Sequence, residues 1–98
     1  MDTQKRQGDL LIIEAGGLPE GSLPAAGLVL AEGEATGHAH RLDRGQLFRA
    51  PGGRLFFCNE QEAVLAHEEH AALRFPPGTY EVRRQREYAP EQDREVRD

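Results

Sequence analysis

Turn-forming clusters interrupt this chain so often that no element in it has room to grow long. Residues 16–24 hold three glycines and two prolines, and Asp43-Arg44-Gly45, Pro51-Gly52-Gly53 and Pro76-Pro77-Gly78 follow. Proline fixes φ and lacks an N–H, while glycine accepts conformations that other residues avoid, so each cluster ends whatever precedes it. The segments between are short, and many alternate apolar with polar side chains. Residues 9–15 are a branched apolar run between Gly8 and Gly16 and read as a first, buried strand. From Gly27 a long strand is expected to run past Gly33 to Leu42, with Leu28, Leu30, Thr36, His38, His40 and Leu42 on one face by a period of two. Residues 46–50 and 54–58 form a hairpin about Pro51-Gly52-Gly53. Residues 79–88 alternate as a last strand, with Tyr80, Val82 and Tyr88 on one face and Glu81 turned to solvent. Phe48, Phe56 and Phe57 are expected to supply much of the core.

Residues 59–74 carry two conflicting signals. Asn59-Glu60-Gln61-Glu62 has the form of a helix cap, and helix formers follow it. Yet Ala63, Leu65 and His67, then Ala71, Leu73 and Phe75, alternate as strands do, and Pro76-Pro77 holds the end extended. The alternation favours two strands with Glu68-Glu69 at the turn. About seven short strands then make an all-β fold, a small single-domain barrel or sandwich. Its expected extent is residues 9–89, after a mobile polar leader at 1–8 and before a charged tail at 90–98.

The single cysteine, Cys58, permits no internal disulfide, and the first residues lack the apolar core of a signal peptide, which together predict a cytoplasmic protein. Cys58 follows two phenylalanines and reads as a buried apolar residue. No apolar run approaches the roughly 20 residues of a membrane span. A net charge of −5 argues against a protein that wraps nucleic acid over its whole surface, and leaves room for a local basic strip. Phosphate loops, nucleophile elbows and paired-cysteine zinc motifs are absent from the sequence.

The four histidines fall into two pairs, His38-Ala39-His40 and His67-Glu68-Glu69-His70. On a strand, i and i+2 side chains stand side by side, and an i, i+3 pair can converge across a tight turn. Four neutral imidazoles, His38, His40, His67 and His70, with or without a carboxylate from Glu34, Glu68 or Glu69, suit a divalent transition metal: Zn, Fe, Ni, Cu or Mn. Imidazole does not choose among these. Read singly, each pair is ordinary polar surface; a metal site requires that the two pairs meet in the fold.

The order Gly33, His38-Ala39-His40 and then Pro76-Pro77-Gly78 before a last strand resembles the two-motif layout of the cupin superfamily over Gly33 to Val82. That resemblance implies a cupin-like or jelly-roll-like barrel with a metal held inside it. The pattern departs at three places. The glycine-to-histidine spacing is one residue short, Arg44 and Gly45 stand where a glutamate is expected, and Glu81 stands where the later histidine is expected.

Arg41 and Arg44 beside the first pair, and Arg83, Arg84 and Arg86 with Tyr88 near the end, are candidate contacts for an anion or a partner; their bland reading is solvated strand-end charge. The sequence therefore predicts a small metal-binding module in a binding, structural or accessory role, since a short chain leaves little room for a substrate pocket. Two alternatives stand beside it. One is a cupin-like metalloenzyme on a small polar substrate, and the other is a metal-free interaction module that assembles with itself through edge strands.

Overall fold

Two-residue turns set the layout. A computed structural model describes residues 4–33 and 37–84 and shows ten strands with no α-helix among the described residues. β1 (Gln4–Gln7) and β2 (Leu10–Ala15) form a hairpin about Gly8-Asp9, with Gln7 opposite Leu10. β3 (Leu23–Ala25), β4 (Val29–Glu32) and β5 (Ala39–Leu42) follow, then β6 (Gln46–Arg49) and β7 (Leu55–Asn59) on either side of a 3-10 turn at Pro51–Gly53. β8 (Ala63–His67) and β9 (His70–Phe75) are a second hairpin about Glu68-Glu69, and β10 (Gly78–Arg84) is the last described strand.

Every pairing is antiparallel, and the strands make two sheets, one in the order β1-β2-β10-β7-β6-β3 and the other β4-β5-β8-β9. The chain is therefore all-β, with two sheets rather than a closed barrel of backbone pairing among the described residues. Leu10, Ile12, Leu47, Leu55, Phe57, Tyr80 and Val82 of the first sheet meet Leu30, Leu42, Ala63, Leu65 and Phe75 of the second in one core. Phe57, Phe75 and Tyr80 lie with ring centroids 5.0 to 5.6 Å apart at its centre, and the Tyr80 hydroxyl donates to Pro76 O at 2.6 Å. That bond satisfies the one polar group this aromatic cluster would otherwise strand.

Several expectations are corrected. Residues 4–7, assigned to a mobile leader, are strand β1, because an edge strand with polar side chains still completes its backbone bonds against β2. The loop at 16–24 likewise yields the short edge strand β3. The single strand expected from Gly27 to Leu42 is two, since the chain reverses and β4 pairs with β5, with Gly33 N–H donating to His38 O at 2.8 Å.

Phe56 is buried but faces away from the core, because alternation lets only one of Phe56 and Phe57 point inward; the Arg54 guanidinium lies 5.1 Å from the Phe56 ring. Phe48, opposite Phe56 on β6, is half-buried on that same outer face. Glu81 does not reach free solvent. It also lies opposite Phe56, is buried, and accepts from Arg54 Nε and Nη2 at 3.2 and 3.3 Å and from Arg83 Nη2 at 3.3 Å. The charge that alternation sends outward is thus covered by two guanidinium groups. The charged tail at 90–98, Glu34, Thr36, Arg86 and Tyr88 lie outside the described residues.

Candidate metal centre

The histidines converge because three strands of the smaller sheet end at the same place. His40 sits in β5, which pairs with β8, and β8 turns through Glu68-Glu69 into β9, so that His67 and His70 lie opposite each other across the turn. His38 precedes β5 on the same side. Ring centroids are 4.3 Å apart for His40 and His67, 4.6 Å for His67 and His70, 5.6 Å for His38 and His67, and 6.2 Å for His40 and His70. The two sequence pairs therefore form one cluster centred on His67.

Within it the four residues are not equivalent. One nitrogen each of His38 and His67 and one oxygen of Glu68 lie within 4.8 Å of one another. His38 and His67 are half-buried there and Glu68 is exposed, so the group opens to solvent. The remaining pair stands to one side, with His40 buried and His70 exposed. Glu68 Oε1 accepts the Ala39 N–H at 3.0 Å, and this bond lowers the carboxyl pKa, keeping it ionised beside the imidazoles. Glu69 Oε2 lies 3.4 Å from His38 Nδ1. His67 Nδ1 accepts the Glu69 N–H at 3.0 Å, so a metal bound through that nitrogen takes the place of the turn's own donor.

His40 is held by a residue the sequence pattern did not single out. Gln7, at the end of β1 and 2% exposed, donates through Nε2 to Leu65 O at 3.0 Å and to Ala71 O at 2.8 Å. Carbonyl oxygens only accept, so the amide nitrogen must face them, and Oε1 is left to accept from His40 Nδ1 at 2.8 Å. The proton of neutral His40 is thereby fixed on Nδ1, and Nε2 carries the lone pair. A carboxylate oxygen, Asp9 Oδ1, is 3.7 Å from that nitrogen, and Asp9 Oδ2 accepts from Arg84 Nε at 3.0 Å.

Burial lowers the His40 pKa, and the charge of His67 adds to the effect against the opposing pull of Asp9. Burial would raise the Asp9 pKa, but the bond and charge of Arg84 outweigh it and the net shift is downward. Neutral imidazole next to ionised carboxylate is the protonation state that metal binding needs. Gln7 and Asp9 left one sequence signal, the Gly8-Asp9 pair, which is a hairpin turn of the Gly-X kind.

Of the other candidates, Arg41 joins Ala39, Ala66, His67 and Glu68 around a shallow depression of about 240 Å³ beside the cluster. Arg44 is not among those residues; it pairs with Asp43 and Gln61 and lines a separate cleft with Phe48 and Cys58. Cys58 is half-buried, on the strand position that faces away from the core, with Sγ 3.4 Å from Thr79 Oγ1. Arg83 and Arg84 line a third cleft, at the edge of the core. No helix among the described residues is long and apolar enough to cross a membrane.

Residues 6–85 match the family described as Domain of unknown function (DUF8820). No curated protein and no solved structure matches the chain.

Proposed function

The chain belongs to the DUF8820 family, and we propose that it is a small metal-binding domain in which His38, His67 and Glu68 hold a divalent transition metal, with His40 and His70 as adjoining imidazoles. One observation carries this reading: donor atoms delivered by two separate hairpins lie within 4.8 Å of one another. Bonds of about 2.1 Å place the donors of a tetrahedral or octahedral ion about 3–4 Å apart, so rotamer adjustments of about 1 Å close the set. Two imidazoles and a carboxylate accept Zn, Fe, Ni, Cu or Mn, with affinity rising toward Cu in the usual order. Gln7 fixes the adjoining His40 rather than a ligand, since its Oε1 accepts from His40 Nδ1 and holds that ring beside His67.

The role we assign is binding or accessory. A second reading, a cupin-like metalloenzyme on a small polar substrate, is favoured by the depression beside His67 and Glu68, where Arg41 could receive an anionic substrate next to the ion.

The test is elemental analysis of untagged protein purified without chelator, alongside His38→Ala, His67→Ala and Glu68→Gln. Stoichiometric metal in the parent that is lost from the variants, with their melting behaviour otherwise intact, is the expected result. Protein that stays metal-free after incubation with each of the five ions, or variants that bind as well as the parent, would overturn the assignment in favour of a metal-free interaction module. An enzyme is distinguished from a closed site by water exchange at the bound ion, because only an open coordination position exchanges rapidly.

A further inference from the structure

Four arginines of this acidic chain gather around one cleft. Arg49 ends β6, Gly53 and Arg54 come from the β6–β7 connection, Arg83 and Arg84 from the end of β10, and together with Ala31 of β4 they line an opening of about 440 Å³. Its floor is Leu10, Leu55 and Val82, backed by Leu30. Leu30, Leu55 and Val82, at 8%, 8% and 9% exposure, are the least covered members of the core, so the core is thinnest here.

The charges do not balance. Arg54 and Arg83 share one carboxylate, Glu81, and Arg84 is matched by Asp9. Among the described residues Arg49 donates to the carbonyl of Gly53, at 3.0 Å, and to no carboxylate. Among the described residues two positive charges are therefore left over at the mouth of an apolar cleft, in a protein whose net charge is −5.

We propose that this cleft binds a small organic dianion, a phosphate monoester with a short aliphatic body being the simplest form. A phosphate monoester carries close to two negative charges at neutral pH, matching the surplus, and guanidinium groups bind its oxygens in pairs. The volume lies in the range of about 300–1,000 Å³ of small-molecule pockets, and the leucine and valine floor takes up the aliphatic part. Glu81 has a defined part in this arrangement. Its shared carboxylate holds Arg54 and Arg83 side by side while neutralising only one of them, and Arg54 lowers its pKa so that it stays ionised. The inference is independent of the histidine site.

The probe is hexyl phosphate, titrated calorimetrically and followed by methyl NMR of Leu30, Leu55 and Val82, with inorganic phosphate, hexanol and hexyltrimethylammonium as comparisons. Saturable binding of hexyl phosphate is expected at sub-millimolar concentration, with those methyl resonances moving, at least tenfold tighter than inorganic phosphate or hexanol and with no binding of the cation. Arg49→Gln and Arg83→Gln should each weaken binding about tenfold, and Arg49→Gln, which touches no carboxylate among the described residues, should do so without changing the melting temperature. Failure of hexyl phosphate to bind at millimolar concentration overturns the proposal. So do equal affinity for inorganic phosphate or hexanol, and unchanged affinity in Arg49→Gln.

Discussion

Replacing Gln7 by leucine tests whether one side chain ties the two sheets together at the histidines. The substitution keeps the volume and removes three hydrogen bonds, two of them buried, to Leu65 O and His40 Nδ1, and one partly buried, to Ala71 O. A buried polar group left without a partner costs about 1–3 kcal/mol, whereas Ala71 O can be rehydrated, so two stranded groups set the scale at about 2–6 kcal/mol. The added apolar contact offsets about 1 kcal/mol of that loss.

A net destabilisation of about 1–5 kcal/mol, centred near 3, is a large share of the roughly 5–10 kcal/mol available to a domain of this length. In urea, with a slope of about 1–2 kcal/mol per molar, the unfolding midpoint of metal-free protein should fall by about 2 M. Lys5→Met is the control, since it removes an exposed bond to Arg74 O from the same strand, and its midpoint should move by less than about 0.5 M. A Gln7→Leu midpoint within that same margin would refute the argument, because the cost of stranding buried groups would then be absent.

Two further outcomes follow from the same geometry. Because the His40 pKa is lowered in the folded chain from its ordinary 6.5, the unfolded chain takes the proton first as pH falls. Metal-free stability should therefore be level in this respect above about pH 6.5 and decline below it, by at most about 1.4 kcal/mol per pH unit, in chemical denaturation series. His40→Asn should remove that part of the slope, while Asp9 and Glu81, lowered from 3.8 and 4.5, act only in the more acid range. The second outcome concerns Gly8, which has φ +60°, and where an added Cβ would meet His70 Nε2 at 2.8 Å. Gly8→Ala should cost about 1–2 kcal/mol from the backbone alone, and should displace the His70 imidazole resonances; an unmoved melting temperature would speak against the turn geometry.

The sequence showed what is local. Alternation in residues 63–75 outweighed a helix-cap signal at Asn59, and Glu68-Glu69 does turn β8 into β9. Antiparallel pairing of β5 with β8 then brings together two histidine pairs that lie far apart in the chain, a juxtaposition the sequence could only pose as a condition. What stayed hidden is what depends on strand order. β1 has no apolar face because it is an edge strand whose one buried side chain is an amide, so hydrophobic periodicity passes over it. Glu81 was placed on the correct face, but nothing in a period of two shows that Arg54 and Arg83 close over that face. The role of Gln7 arises between sheets, where neither strand periodicity nor motif spacing has anything to say.

The position of β10 also sets an order of assembly. It lies between β2 and β7, so β2 has only β1 beside it until Thr79–Arg84 arrives, with pairs such as Leu10 and Arg84 drawn from nearly opposite ends of the described chain. At synthesis rates of about 5–20 residues per second that interval lasts roughly 3–15 s, against microseconds for the closure of a hairpin. Through this time the β1–β2 hairpin presents Leu10 and Ile12 on an open edge, the state in which a strand is most exposed to pairing with another nascent chain. Insertion of β10 ends that exposure. The same event brings Arg84 to Asp9 and Glu81 to Arg54, so the carboxylate beside His40 and the arginine cleft acquire their charge partners together, after every other described strand has been made.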